Sequence, residues 1–418
     1  MVKTKYRHIR GDFTLTQPIS DSSPSPYESN NIKSQLPIKW DKAIDFTVYD
    51  KDGNKWIDLT SGIFVANTGH SNPDVAEAIK KQIDDGLSFS FMYPTDIRVE
   101  FAEKILAASP KHFEKVVLLN TGSEATDTAY KMIKHWATKN NRKYIVCFEG
   151  SYHGRVLSAD LLSNGPNNSE WSGVSDDDIV FLKFPYDTSS RFDPSLLPPP
   201  DEIAGFILET YQGWSSQFYP QHYFEELYSF IQSSGCLLCF DEVQAGLYRM
   251  GTLYGYMSYG EEIRPDIICL GKALASPMPM SVVLSTSALV DGTPKMGGTH
   301  SGNPLCCAAA IANLKILSDR HFQENLSRKA RVFEHRMISL EKYGCVDYVN
   351  GRGLVGAILF KDRTIAEKVV EAMVFNGVMP VHTWSQSIKI GPPLTITEPA
   401  LEEAFDVIEN ILREVDNT

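Results

Sequence analysis

The chain has 418 residues, 43% of them hydrophobic, which is enough for one large core and a smaller one in a globular protein of two domains. A formal net charge of -12 and a pI near 5.4 argue against a nucleic-acid partner, because a phosphate backbone needs a concentrated basic face and no long lysine or arginine run is present. Nothing after Met1 resembles a secretion signal and no apolar stretch approaches the roughly 20 residues that cross a bilayer, so no membrane contact and a cytoplasmic location are expected.

In chain order, residues 1–36 are polar and carry Pro18, Pro24 and Pro26 among serines, which predicts an N-terminal arm. From Phe46 to Leu59 the run FTVYDKDGNKWIDL predicts two strands joined at Asp52-Gly53-Asn54. Apolar runs then alternate with helical patterns, and residues 116–119, 144–148, 203–208, 236–240 and 267–270 read as buried strands. Such alternation predicts an α/β domain with a mainly parallel sheet between helices. Ala125, Ala129, Met132, Ile133 and Trp136, spaced by three and four, mark an amphipathic helix after the first strand. Residues 163–200, rich in Ser, Asn, Asp and Pro, read as an exposed insertion. From about Ala308 the texture becomes helical, with a Gly-rich strand over 351–360 and a final amphipathic helix near 400–415. The expected division is an arm (1–36), a smaller α+β domain from 37–60 and 312–418, and a large domain from 61–311.

Cys147, Cys236, Cys239 and Cys269 lie in apolar runs, where thiols act as small hydrophobes, and the odd total of seven cysteines points to a reducing compartment. Cys236 and Cys239 form a C-x-x-C, yet a strand aims residues three apart at opposite faces, so neither redox nor metal chemistry is expected of them. His153 and His300 read as local hydrogen-bonding partners, since no cluster has metal-ligand spacing.

Open parallel sheets bind ligands beyond the carboxyl ends of their strands, so the residues following each run matter most. Asn120-Thr-Gly-Ser-Glu124 puts Gly122 and Ser123 at a helix N-terminus, where free N–H groups and the dipole favour phosphate; an ordinary N-cap is the plain alternative. Asp241 follows a buried strand, where a carboxylate needs a cation or several donors; it would suit a protonated pyridine nitrogen, or could merely cap the next turn. Lys272 follows the strand over 267–270, and an amine there becomes a nucleophile as low-dielectric walls lower its proton affinity, although surface lysines are commoner. Phosphate cradle, carboxylate and amine are the three anchors that one pyridoxal 5'-phosphate needs.

With these residues, the motifs DGNKWIDLTSG, GHSNP, NTGSEA, SYHGR, FDEVQAG, PDIICLGKAL, GTHSGNP and GPPLTIT make the chain resemble the class III aminotransferases, the ornithine and 4-aminobutyrate group of fold-type-I pyridoxal-phosphate enzymes, from about Asp52 to Pro393. The resemblance implies a fold-type-I large domain with a seven-stranded, mainly parallel sheet. It implies that Lys272 holds the cofactor as a Schiff base and carries a proton to and from the substrate, and that Asp241 pairs with the pyridine nitrogen. By the same resemblance Gln244 bonds the ring oxygen, Val243 and Tyr152 pack on opposite ring faces, and Gly122 and Ser123 bind the phosphate together with Thr299 from the second subunit of a homodimer. Arg155 matches a position that binds a substrate carboxylate. Glu209 matches the acidic half of a gate whose usual arginine is here Lys389, and Thr210 replaces the proline usual after that glutamate. Ser61 to Ala66, Phe91 to Tyr93 and Trp214 are further pocket-wall positions by analogy, with simple packing as the alternative.

The implied activity is ping-pong transfer of an amino group, from L-glutamate or another donor to an aldehyde or ketone such as an ω-amino-acid semialdehyde or an oxidised sugar or aminocyclitol. A lyase, decarboxylase or aminomutase of the same family is the alternative. A nicotinamide dehydrogenase is disfavoured because no G-x-G-x-x-G follows the first strand.

Overall fold

The computed structural model describes residues 1–19, 23–29, 31–163, 172–214 and 216–417. The chain forms two compact units, Pro73–Ser318 and a second made of Met1–Asn72 with Asp319–Thr418.

The larger unit is built on a seven-stranded sheet. From one edge to the other its strands are Lys115–Leu119, Ser281–Ser285, Ile267–Leu270, Leu237–Asp241, Ile203–Glu209, Tyr144–Phe148 and Ile179–Leu182. Ser281–Ser285 runs antiparallel to both its neighbours, and the remaining pairings are parallel. All residues of the central strand Ile203–Glu209 are buried, which explains its unbroken apolar run. Two strands depart from the sequence reading. Ile179–Leu182 pairs with Tyr144–Phe148 inside the segment expected to be an insertion, and Ser281–Ser285 follows the motif lysine. Of that insertion, residues 164–171 lie outside the described residues.

The Gly122–Lys139 helix begins with a reciprocal cap, in which Thr121 accepts from the Glu124 backbone and Glu124 reaches back to the N-cap. Its buried face of Ala125, Ala129, Met132, Ile133 and Ala137 packs with Val117, Ile145, Ala204, Ile207, Ile267 and Val283 of the sheet. Each fully buried Met or Ile there contributes about 1.5–3 kcal/mol. Gly205 lets the helix come close, since a Cβ there would lie 2.9 Å from the Leu237 carbonyl oxygen and 3.1 Å from an Ile133 methyl.

In the smaller unit Thr47–Tyr49 and Lys55–Asp58 form the expected hairpin. Val2–Lys3 and His8–Ile9 pair with each other and extend that sheet through His8 and Lys55, so the start of the arm is tied down by strand pairing. A second sheet has the order Val346–Arg352, Val355–Phe360, Ser387–Ile390 and Val381–His382, all antiparallel. The Gly-rich strand expected over 351–360 is instead broken by a hairpin turn at Gly353, where φ is +65°: residues 351–352 end the first arm and 355–360 form the second. The last helix, Glu398–Asp416, buries Leu401, Ala404, Phe405, Ile408, Ile411 and Leu412 at helical spacing.

Candidate active site

The sheet delivers its polar residues at the carboxyl ends of adjacent strands, as strand pairing requires. Asp241 ends its strand opposite Cys269 on one side and Glu209 on the other. Both carboxylates are buried.

Asp241 is held by two donors. Its Oδ1 accepts from the Val243 N–H at 3.0 Å, and its Oδ2 lies 2.9 Å from Nδ1 of the buried His153. Burial alone would lower the His153 pKa, but the bond to Asp241 and the charges of Asp241 and Glu209 outweigh it and the value rises. His153 Nε2 is buried without a hydrogen-bond partner among the described residues.

Lys272 directly follows Gly271 and adopts a left-handed φ of +43°, a conformation a lysine keeps only when its surroundings impose it. Desolvation pulls its pKa below the usual lysine value, opposed by the negative charges of Asp241 and Glu209, so the amine lies within electrostatic reach of both carboxylates. A Cβ on Gly271 would stand 3.3 Å from Val243 Cγ1 and 3.6 Å from the Gly122 Cα. One on Gly122 would come within 2.8 Å of Val243 Cγ1. The helix N-terminus, the Asp241–Gln244 turn and the start of the Lys272 turn therefore meet at one place.

Ser123 joins the same cluster, accepting from the Arg155 N–H at 3.2 Å, while a Cβ on Gly154 would collide with its Oγ at 2.3 Å. Tyr152 lies near the Arg155 guanidinium, whose carbon is 6.0 Å from the ring centroid. Gln244 receives the Tyr211 hydroxyl at 3.1 Å. Thr299 is exposed on the turn at 297–302, where Gly298 donates to Ser301 Oγ at 2.8 Å. His300 in this turn packs on Phe89, with ring centroids 5.1 Å apart. Lys389 belongs to the smaller unit, where it is buried with its amine 5.2 Å from the Phe64 ring centroid.

Glu209 has a role no local pattern revealed. Its Oε2 accepts from the Tyr152 N–H at 3.0 Å and its Oε1 from the Gly213 N–H at 2.9 Å, while burial pushes its pKa up to about 7. The neighbouring Glu242 is also buried, and is satisfied by Thr210 Oγ1 at 2.5 Å and by the N–H groups of Gly255 and Tyr256 at 2.7 and 2.8 Å. Thr210 thus serves a structural carboxylate.

These residues fit a small anion-bearing ring. A capped helix that starts with Gly122 and Ser123 suits a phosphate, the Asp241 carboxylate suits a cationic nitrogen, and the Lys272 amine suits a carbonyl carbon. Among the described residues no group of three or more His, Cys, Asp or Glu is placed to hold a metal ion.

A family model described as aminotransferase class-III matches residues 28–412. Acetylornithine aminotransferase of Clostridium acetobutylicum is 29% identical over 395 residues, covering 92% of this chain and 98% of that protein. Ornithine aminotransferase of Brevibacillus brevis is 30% identical over 388 residues, covering 90% and 94%. Among solved structures, the ornithine aminotransferase of Toxoplasma gondii ME49 matches with a TM-score of 0.83 at 25% identity over 92% of each chain.

Proposed function

Because the chain belongs to the class-III aminotransferases, we propose that it moves an amino group from L-glutamate or another donor to an aldehyde or ketone in two half-reactions, using pyridoxal phosphate held by Lys272, Asp241 and the Gly122–Ser123 helix start. The observation that carries this reading is the meeting of the Gly122 helix start, the Asp241–Gln244 turn and the start of the Lys272 turn at one place. When bound, pyridoxal phosphate supplies an electron sink that makes the substrate's Cα–H bond acidic.

The chain's own residues do the rest. Lys272, with its lowered proton affinity, is neutral more often than a surface lysine and so takes the Cα proton and returns it, a positioned transfer contributing on the order of 10²–10⁴ in rate. Asp241 would present its carboxylate to the ring nitrogen, with the Val243 N–H and His153 fixing its two oxygens. The backbone N–H groups of Gly122 and Ser123 and the Ser123 hydroxyl hold the phosphate. Val243 and Tyr152 bracket the ring, and Gln244 bonds its oxygen. Arg155 receives a substrate carboxylate as a planar fork.

We also infer a homodimer in which Thr299 of one subunit completes the phosphate site of the other. Its support is an exposed aromatic run beside the Thr299 turn: Phe89, Phe91, Met92 and Tyr93 are 45%, 47%, 57% and 73% exposed. A contiguous apolar patch of this kind marks an interaction surface. A cytoplasmic location is supported by the seven cysteines all being free thiols, and recovery in the cytosolic fraction on cell fractionation checks it.

Lys272→Ala is the direct test. It should fold, bind cofactor without the visible absorbance of the lysine-linked form, and show no half-reaction with glutamate; retained colour and turnover refute the assignment. The same half-reaction in Arg155→Ala should show a raised KM for glutamate, and an unchanged KM removes that residue from the carboxylate contacts.

A further inference from the structure

We propose that Trp214 determines specificity by giving the site a flat aromatic wall, and that one of the two substrates carries a planar ring together with a carboxylate. The inference rests on the aminotransferase reading above.

Trp214 follows Gly213 in the turn after the Tyr211–Gln212 strand. Glu209 ties this turn to the Tyr152 loop, because one carboxylate oxygen binds the Gly213 N–H and the other the Tyr152 N–H. Gly213 is required for that approach, since a Cβ would lie 2.5 Å from Glu209 Oε1 and 3.3 Å from the Gln244 amide. Glu209 is buried and ends its strand opposite Asp241, and Gly213 approaches Gln244, so the turn is fixed beside the Asp241–Gln244 turn.

Tied in this way, the Trp214 and Tyr152 rings face each other with centroids 6.4 Å apart and planes 29° from parallel, and the Arg155 guanidinium lies over the same tyrosine. Trp214 nevertheless remains 45% exposed. An indole anchored at its backbone, aligned with a site tyrosine and still open to solvent offers a π face to whatever enters, and the nearby guanidinium supplies the carboxylate contact. Preference for a planar ring over a puckered one of equal carbon count should be about fivefold, the middle of the range for aromatic pairs.

The test uses the holoenzyme and two carboxylates with no amine or carbonyl to transfer, 3-phenylpropionate and 3-cyclohexylpropionate, titrated by tryptophan fluorescence and by competition against glutamate. Cyclohexyl is the more hydrophobic ring, so tighter phenyl binding reports a π contact rather than burial alone. Wild type should bind the phenyl compound about fivefold more tightly. Trp214→Phe should keep the preference and Trp214→Ala should lose it. Should Trp214→Ala fail to fold, Trp214→Leu makes the same comparison by refilling the space without a π face. Equal affinities in wild type, or a preference that survives in Trp214→Ala or Trp214→Leu, overturn the proposal. Glutamate is run in parallel: if it reacts while the ring preference is missing, Trp214 is only packed on Tyr152 and the aminotransferase reading stands. If neither glutamate nor any other amine changes the cofactor absorbance, that reading fails, whatever the two carboxylates show.

Discussion

Asp241→Asn keeps the shape of the side chain and removes its charge, whereas Asp241→Ala removes both. In Asn, one oxygen still accepts from the Val243 N–H, a bond of 3.0 Å in the wild type, and the new amide faces His153 Nδ1. His153 can meet it by changing tautomer, so the loss is the charge-assisted part of one buried bond, about 1.5–3 kcal/mol at most. Ala strands a histidine whose Nε2 already has no partner among the described residues, and removing one member of a buried pair costs about 3–5 kcal/mol. The pH dependence has a definite sign. The folded His153 pKa is raised above its ordinary 6.5, because Asp241 outweighs desolvation. The stability contributed by the charged pair is therefore fully present below pH 6.5 and lost as pH rises through the folded value. Urea unfolding of the apoenzyme should show an Asn penalty that is larger at pH 6 than at pH 9. With cofactor bound, Asn should slow the glutamate half-reaction on the order of 10²-fold, the scale of losing one preorganised charge contact. An Asn penalty that grows with pH, an Ala variant as stable as Asn, or a full-rate half-reaction in Asn would refute this account of the pair.

Gly122→Ala should force Val243 aside, since the new Cβ would lie 2.8 Å from its Cγ1, and overpacking of about 1–3 kcal/mol should weaken cofactor affinity by roughly tenfold. Fluorescence titration of the apoenzyme measures it, and unchanged affinity removes Gly122 from the cradle. Sedimentation velocity should give twice the 46.7 kDa of one chain for the wild type, whereas Phe91→Asp combined with Tyr93→Asp should shift it to monomer and weaken cofactor binding through loss of Thr299. A monomeric wild type with full affinity contradicts the shared site.

The sequence alone was enough to place the strands over 144–148, 203–208 and 267–270, the helix after Leu119, the hairpin at Asp52–Asn54 and the motifs that carry the family, because each is written in neighbouring residues. An apolar run, a 3.6-residue repeat or a capping box imposes its structure within a few positions, so no distant residue is needed to read it. Ile179–Leu182 escaped because four apolar residues in a polar segment do not declare themselves until Tyr144–Phe148 offers an edge to pair with. Ser281–Ser285 escaped because the sequence reading stopped at the motif lysine, and its antiparallel direction is set only by insertion between Lys115–Leu119 and Ile267–Leu270. The site divides in the same way. Lys272, Asp241 and Gly122–Ser123 were legible as strand-end chemistry, but Glu209 bonding to Tyr152 and Gly213, and His153 bonding to Asp241, join residues from separate loops. Such contacts exist only once the strand order brings those loops to one end of the sheet. Strand order is chosen by the whole core, so local sequence carries no trace of it.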